Sequence, residues 1–308
     1  MMPGEFEAEL LTSWRSGSTA PTRVSNADEP SAWIPLALHF ALVASRIIRT
    51  ARLGDLDGAA VLKGDGSPVT ALERFIEEQI EAELRNHEIP LELIGEETAP
   101  TRPGPGFSLA IDPVDGTWSL VNRTETLATS LAIFRDGEPI VGVIANPATA
   151  EIAYGAIGHP PRLLQLGAFG EGDRGVTLPI PPAGPEGLLV SLHPQRAATP
   201  IAGKLSRAWA AGELDMVRAP GGAPSLGLLE AAKGAFAYVN LWGRRETAAW
   251  DLAAGMLIVR GAGGDVVDLD GCAVKTEGHR GPFVAALRAQ DRDRVVALVR
   301  SALSSEEA

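Results

Sequence analysis

Two carboxylates and a hydroxyl lie within one short stretch, Asp112-Pro113-Val114-Asp115-Gly116-Thr117. The run before it, Phe107-Ser108-Leu109-Ala110-Ile111, is short and largely apolar, as expected of a buried strand whose carboxyl end delivers Asp112 to a cleft. Pro113 fixes φ and has no N–H, and Asp115-Gly116 is a turn pair, so the chain is expected to reverse here. On such a turn Asp112 and Asp115 can face one point and share a hard, Mg²⁺-like cation, which takes oxygen ligands in octahedral geometry. Asp-Pro and Asp-Gly pairs also punctuate ordinary loops, so the chemistry requires partners from elsewhere in the chain.

Two further segments carry such partners. Leu93-Ile94-Gly95-Glu96-Glu97-Thr98 is an apolar stub ending in glycine and adjacent carboxylates, and Trp250-Asp251-Leu252-Ala253-Ala254-Gly255 places a carboxylate where an alanine-rich helix begins. Taken singly, Glu96-Glu97 is equally an acidic pair in water, and Asp251 equally a helix cap. Taken together, Glu96, Asp112, Asp115 and Asp251 form a carboxylate cluster drawn from separate segments. A phosphate monoester dianion repels an attacking hydroxide and hydrolyses extremely slowly unaided. Divalent ions neutralise the phosphoryl oxygens, lower the pKa of a bound water and stabilise the leaving alkoxide. A carboxylate cluster is what holds such ions in place.

In this order and at comparable separations the segments resemble the fingerprints of the inositol monophosphatase family of metal-dependent, lithium-sensitive phosphatases: G-E-E, D-P-[IL]-D-G-T and W-D-x-A-[AG]. A fourth family element, K-x-D-x-x-V-T-x-x-D, resembles the stretch from Lys63 through Asp65, Val69 and Thr70 to Glu73. The likeness runs from about Trp33 to the C-terminus. It implies an α+β fold arranged as a layered αβαβα sandwich, usually a homodimer, with Mg²⁺ as cofactor in two or three ions per active site.

The resemblance also implies roles. Glu96, Asp112 and the Val114 carbonyl would hold the ion that activates water; Asp112, Asp115 and Asp251 would hold a second near the leaving oxygen, and a third, weaker ion would sit near Glu96. Glu97 would support the metal waters or orient the site. Thr117 and Glu73 would position and deprotonate the attacking water, which makes Glu73, Glu96 and Thr117 the catalytic set. The amides of Gly116 and Thr117 could cradle the phosphate. Gly221-Gly222-Ala223-Pro224-Ser225 is similar to the family's G-S-A-A-like substrate loop, with Gly222 and Ala223 nearest the substrate, and equally to a plain turn before a helix. Asn240 stands where inositol-preferring members carry a glutamate.

Three departures bear on activity and specificity. Glu73 replaces the family's aspartate, and one methylene displaces a carboxylate by a bond length in chemistry sensitive to errors of about 1 Å. Beyond Asn240 comes an insertion, Trp242-Gly243-Arg244-Arg245-Glu246, whose arginines could grip a second phosphate or simply be solvated. Trp118 follows Thr117 and either lines a pocket or fills the core, core packing being the safer expectation. The expected substrate is therefore a small polyol, inositol or sugar phosphate. The alternatives are a bisphosphate, histidinol phosphate, or a metal-binding regulatory homologue without turnover.

Length and composition agree with a compact soluble enzyme, and the resemblance implies a small phosphorylated metabolite as its partner. The net charge of −12 argues against a nucleic-acid partner, yet it leaves small phosphate esters open, because bound divalent ions reverse the local field. A single cysteine, Cys272, excludes an intramolecular disulfide, and the cytoplasm is the expected compartment. His39, His87, His159, His193 and His279 show no metal-ligand spacing, so direct water attack is favoured over a phosphohistidine or cysteine intermediate. Residues 1–30 read as a loosely ordered extension without a secretory signal. The apolar stretch from Trp33 to Ile48, interrupted by Pro35, His39, Ser45 and Arg46, reads as a buried amphipathic helix and not as a membrane span.

The positioning elements follow from periodicity. Thr70 is expected to cap a helix from Ala71 to Asn86, with Leu72, Phe75, Ile76, Ile80 and Leu84 inward and Glu77, Glu78 and Glu81 towards solvent. Leu127 to Phe134 reads as a strand, Asp136-Gly137 as a hairpin turn into Pro139 to Ala145, and Glu151 to Gly155 as the next strand. The Pro- and Gly-rich span from Leu178 to Gly187 is the expected boundary between a half at 31–183, carrying most metal ligands, and a half at 184–308, carrying Asp251 and the recognition loops. In the second half a strand at Leu188 to Ser191, a helix at Ser225 to Lys233, a strand at Ala235 to Leu241, a helix at Asp251 to Arg260 and a strand at Asp265 to Leu269 are expected. Helices alternating with mixed strands favour the layered arrangement over a regular doubly wound sheet.

Overall fold

The computed structural model describes residues 24–53, 61–62, 68–69, 71–98, 102–166, 174–179, 189–192, 200–213, 216–218, 223–234, 236–241 and 246–304. A 3₁₀ turn, Pro30–Trp33, leads into α1 (Ile34–Leu53). By length and composition α1 could cross a membrane. Here Leu36, Leu38, Phe40, Leu42 and Ile48 pack into the first core cluster instead, as the sequence led one to expect of a buried helix. The two-residue strands β1 (Val61–Leu62) and β2 (Pro68–Val69) pair antiparallel. α2 (Ala71–Asn86) follows and packs beside α1. Lys63 to Ser67 and Thr70 lie outside the described residues.

α1 and α2 cover one face of a seven-stranded sheet in the order β3 (Glu92–Gly95), β4 (Phe107–Asp115), β5 (Ala128–Arg135), β6 (Glu138–Asn146), β7 (Glu151–Ala156), β8 (His159–Gln165) and β9 (Arg174–Thr177). Among the described residues only the β3–β4 pair in this sheet is parallel; the others form an antiparallel meander. Asp136 and Gly137 at the β5–β6 turn have φ of 52° and 84°, the left-handed pair that a tight hairpin requires. Both faces of the sheet are covered, so its strands are apolar on both sides: Leu131 and Ile133 belong to the α1 cluster, while Ala132 and Phe134 belong to the cluster on the opposite face.

The chain then continues through β10 (Leu189–Leu192), α4 (Pro200–Ala210), β11 (Met216–Arg218), α5 (Pro224–Lys233), β12 (Phe236–Asn240), α6 (Ala249–Gly261), β13 (Asp265–Asp268), β14 (Phe283–Ala286) and α7 (Ala289–Ser304). The five strands form a second sheet in the order β11-β10-β12-β14-β13. α5 and α6 pack against each other between the two sheets, and α4 and α7 cover the outer face of the second. The layers are thus helix, sheet, helix, sheet, helix, the α+β sandwich expected. Small side chains on α6, Ala249, Ala253 and Ala254, are buried where it lies on the first sheet, which lets helix and sheet approach closely.

Two expectations for α2 fail. Phe75 is 46% exposed, and Glu77, assigned to solvent, is fully buried. Helical spacing selects a face but not its edges, and the inward arc of α2 runs through Glu73, Ile76, Glu77, Ile80 and Leu84. Of the residues expected to be loosely ordered, 1–23 lie outside the described residues. The rest are tied to the fold: the Trp33 indole donates to the Ala27 carbonyl at 3.0 Å and Arg135 donates to that of Asp28 at 2.9 Å.

Trp33 is fully buried, with its ring centroid 4.7 Å from that of Phe107. Trp33→Ala is expected to lower stability by about 3–5 kcal/mol, read as a shifted urea midpoint with an unchanged slope.

Candidate active site

β4 runs through Pro113 to Asp115, so the chain does not reverse at Pro113 as expected; the turn comes at Gly116. What brings the aspartates together is a bulge. Asp112 lies opposite Ser130 and Asp115 opposite Ala128, so one residue more is used on β4 than on β5. Residues three apart in a regular strand point to opposite faces, and one extra residue restores the phase. Ala128 belongs to the core cluster shared with α6, and the Ser130 hydroxyl donates to the Trp250 carbonyl on α6 at 2.8 Å. Asp112 and Asp115 therefore both project towards the middle helical layer. Pro113 is tolerated at a bulge, where a ladder N–H is dispensable, and its carbonyl accepts from the Thr129 hydroxyl at 2.9 Å.

Gly116 has φ 93° and ψ 44°, and a Cβ there would stand 2.8 Å from the Thr126 carbonyl oxygen. A short helix, α3 (Thr117–Val121), begins at once. The Thr117 hydroxyl donates to Glu73 Oε1 at 2.7 Å and lies 3.3 Å from the Val114 carbonyl. Glu73 is 1% exposed, and its extra methylene has not parted it from Thr117. Trp118 is 54% exposed and does not fill the core.

The middle layer supplies the opposite wall. Asp115 accepts from the Ser225 N–H at 2.7 Å and from the Ser225 hydroxyl, both in the first turn of α5, where N–H groups lack helical partners. Ala223, immediately before α5, has its methyl 3.4 Å from the Cβ position of Gly116. Asp251 lies in the first turn of α6 and accepts from the Ala248 N–H at 2.8 Å, so it caps the helix while standing near Asp112 and Asp115. Asp112 accepts from the Val114 N–H at 2.9 Å. Glu96 follows β3, its N–H donating to the Ile111 carbonyl at 3.2 Å, and Glu96 and Glu97 are both half-buried. Asn240 is buried at the end of β12. Gly222, Arg244 and Arg245 lie outside the described residues.

Asp112 and Asp115 are each only 5% exposed. Burial raises the Asp112 carboxyl well above the usual carboxylate range, reinforced by the charges of Glu96, Asp115, Asp251 and Glu73. Burial likewise lifts Asp115 to about 8; the Ser225 bonds oppose the shift and the charges of Asp251 and Glu96 add to it. Among the described residues no three acidic or histidine side chains already close around one point at coordination distance. The donor set nevertheless fits a hard divalent cation, since these are oxygen ligands whose mutual repulsion a bound cation would relieve.

Sequence reasoning missed two further groups. Ser225, read as the last residue of the candidate substrate loop and the start of a helix, is instead a donor to Asp115. Tyr238 is fully buried on β12, and burial and then the Asp115 charge raise its phenol, while its approach to Asn240 acts the other way. That approach falls short of hydrogen-bond geometry. An apolar strand pattern gives no signal for such a residue.

The sequence profile of the inositol monophosphatase family matches residues 30–304. Histidinol-phosphatase of Mycobacterium tuberculosis is 30% identical, over 77% of this chain and 88% of its own length. Inositol-1-monophosphatase of Mesorhizobium japonicum is 32% identical, over 68% of this chain and 75% of its own. Among solved structures, the extragenic suppressor protein suhB of Bartonella henselae superposes with a TM-score of 0.68 at 21% identity, covering 85% of this chain and 96% of that one. The Thermotoga maritima IMPase gives 0.65 at 21%, covering 85% and 94%. The chain belongs to the inositol monophosphatase family.

Gly116→Ala would combine a left-handed backbone with a clash against the Thr126 carbonyl. It is expected to cost about 1–3 kcal/mol of stability, measured by chemical denaturation.

Proposed function

We propose that this family member is a Mg²⁺-dependent phosphomonoesterase that hydrolyses a small polyol, inositol or sugar phosphate by direct attack of water. The observation that carries the reading is the pairing of buried Asp112 and Asp115 on one side of β4, with the Thr117–Glu73 hydrogen bond beside them. Glu96, Asp112 and the Val114 carbonyl would hold one ion, Asp112, Asp115 and Asp251 a second, and a third would lie near Glu96. When bound, the ions supply charge neutralisation at the phosphoryl and leaving oxygens and acidify water.

The protein's own groups supply orientation and proton transfer. The Thr117 hydroxyl donates to Glu73, so its oxygen is left to accept a hydrogen bond from the attacking water. Glu73 is the general base that ultimately takes the proton as the water oxygen bonds to phosphorus and the ester P–O bond breaks. Ser225 holds Asp115, and the Ala248 N–H holds Asp251, so neither carboxylate must be ordered at the moment of reaction. Gly116 and Thr117 would bind the phosphate, and Gly222, Ala223 and Asn240 would meet the alcohol portion, with Glu97 supporting the site. A homodimer and a cytoplasmic setting belong to the same reading by family likeness, and size-exclusion with light scattering checks the first.

Phosphate release should be followed on inositol phosphates, sugar mono- and bisphosphates and histidinol phosphate. Mg²⁺-dependent turnover is expected, lost on chelation, restored by Mg²⁺ and absent in Asp115→Asn. Folded protein that binds metal and releases no phosphate from any of these refutes the reading. Glu73→Ala is expected to lower kcat by about 10²–10⁴-fold with little change in KM, the signature of a lost general base.

A further inference from the structure

α2 carries a second buried carboxylate one turn beyond Glu73. Glu77 accepts from the Glu97 N–H at 2.9 Å, from the Thr98 N–H at 2.8 Å and from the Thr98 hydroxyl. These donors belong to the two residues immediately after Glu96 in the segment that follows β3. Gly95 makes the approach possible: a Cβ there would lie 2.1 Å from Glu77 Oε2 and 2.4 Å from its carboxyl carbon. The Glu77 carboxylate therefore lies against the Gly95 backbone and grips the turn from Glu96 to Thr98 from within.

A purely structural role is poorly served by this choice. A buried carboxylate is unfavourable unless fully hydrogen-bonded, and here Glu96 adds like-charge repulsion. An apolar side chain on the same inward arc of α2, like neighbouring Ile76 and Ile80, would have filled the space without that cost. What an apolar side chain cannot do is accept two backbone N–H groups and a hydroxyl in one turn and so fix its path.

We propose that Glu77 is a positioning residue for Glu96: by holding the Glu97–Thr98 backbone against α2 it aims the Glu96 carboxylate at Asp112. One helix then sets both sides of the site, since Glu73 and Glu77, four positions apart, share the inward face and reach Thr117 and the Glu96 turn respectively. Gly95 is required because the carboxylate occupies the place of its side chain. The proposal rests on the metal-dependent phosphatase reading above.

The test is direct binding of Mn²⁺ alone to the full chain, followed by electron paramagnetic resonance, together with the Mg²⁺ dependence of phosphate release. Glu77→Gln keeps the shape but presents an NH₂ to one of the backbone donors. A cooperatively melting Glu77→Gln protein is expected to bind Mn²⁺ about 10-fold more weakly. It should require correspondingly more Mg²⁺ for half-maximal rate, and recover most of the wild-type kcat at saturating Mg²⁺. Glu81→Gln, on the exposed face of the same helix, should match the wild type. Wild-type Mn²⁺ affinity in folded Glu77→Gln overturns the proposal. If that variant does not fold, Thr98→Val takes its place; it removes only the hydroxyl donor and is expected to weaken Mn²⁺ binding about threefold, and no change there overturns the proposal equally. A wild-type protein that binds no Mn²⁺ sinks the phosphatase reading itself. Binding by the wild type that Glu77→Gln equals sinks the positioning role alone.

Discussion

In an unbroken strand, side chains three positions apart lie on opposite faces of the sheet, and Asp112 and Asp115 would then be separated by the thickness of β4. The single extra residue between them, matched against two steps on β5, turns that separation into adjacency. Everything else at the site depends on this phase shift. It directs both carboxylates into the middle helical layer, leaves the Val114 side chain in the core on the α1 side, and brings the strand to Gly116 in position to start α3 with Thr117. The bulge is a local departure from ladder pairing at the end of β4: continuous pairing from Phe107 to Asp112 leads into it, and the Asp115–Ala128 pair closes it.

The layered arrangement explains why acidic groups can be gathered in an interior. α5 and α6 start beside the end of β4, and the first turn of each has N–H groups that the helix itself does not use. Ser225 on α5 spends its N–H and hydroxyl on Asp115, while Asp251 satisfies the Ala248 N–H at the head of α6. Carboxylates that serve as hydrogen-bond acceptors in this way are held in one orientation, although burial and neighbouring charges disfavour the charged forms of Asp112 and Asp115. The structure thus stores an electrostatic demand that a divalent cation is suited to meet.

α2 carries the other half of the geometry. Its inward arc presents apolar side chains to the first core and, between them, Glu73 and Glu77 to the site. A rigid helix that contacts both Thr117 and the segment after β3 links two parts of the chain that are far apart in sequence. Catalytic geometry held by elements of this kind is less tolerant of disorder than geometry carried on loops, because no hinge lies between the two contacts.

Much of this was legible from residue types alone. Asp-Gly after an apolar run marked the β5–β6 hairpin, alternating and continuous apolar runs marked β4 to β7, and helical spacing marked α2 and α6 within a few residues. The carboxylates of Glu96, Asp112, Asp115 and Asp251 pointed to a divalent-cation site through the resemblance of their segments to one family's motifs. Local pattern could not say that Pro113 sits in a bulge and not in a turn, since strand pairing with β5 decides that. It could not place Glu77 inside or Phe75 and Trp118 outside, since the width of a helix's buried arc depends on what packs against it. Nor could it pair Ser225 with Asp115 or bury Tyr238 within reach of the Asp115 charge, because each meets a group over 100 positions distant in the chain. The sequence by itself determined which elements form and which atoms are available for chemistry, as both follow from short-range sterics and side-chain type. Only the tertiary structure decided which of those atoms meet, because that rests on register, layer packing and the desolvation they impose.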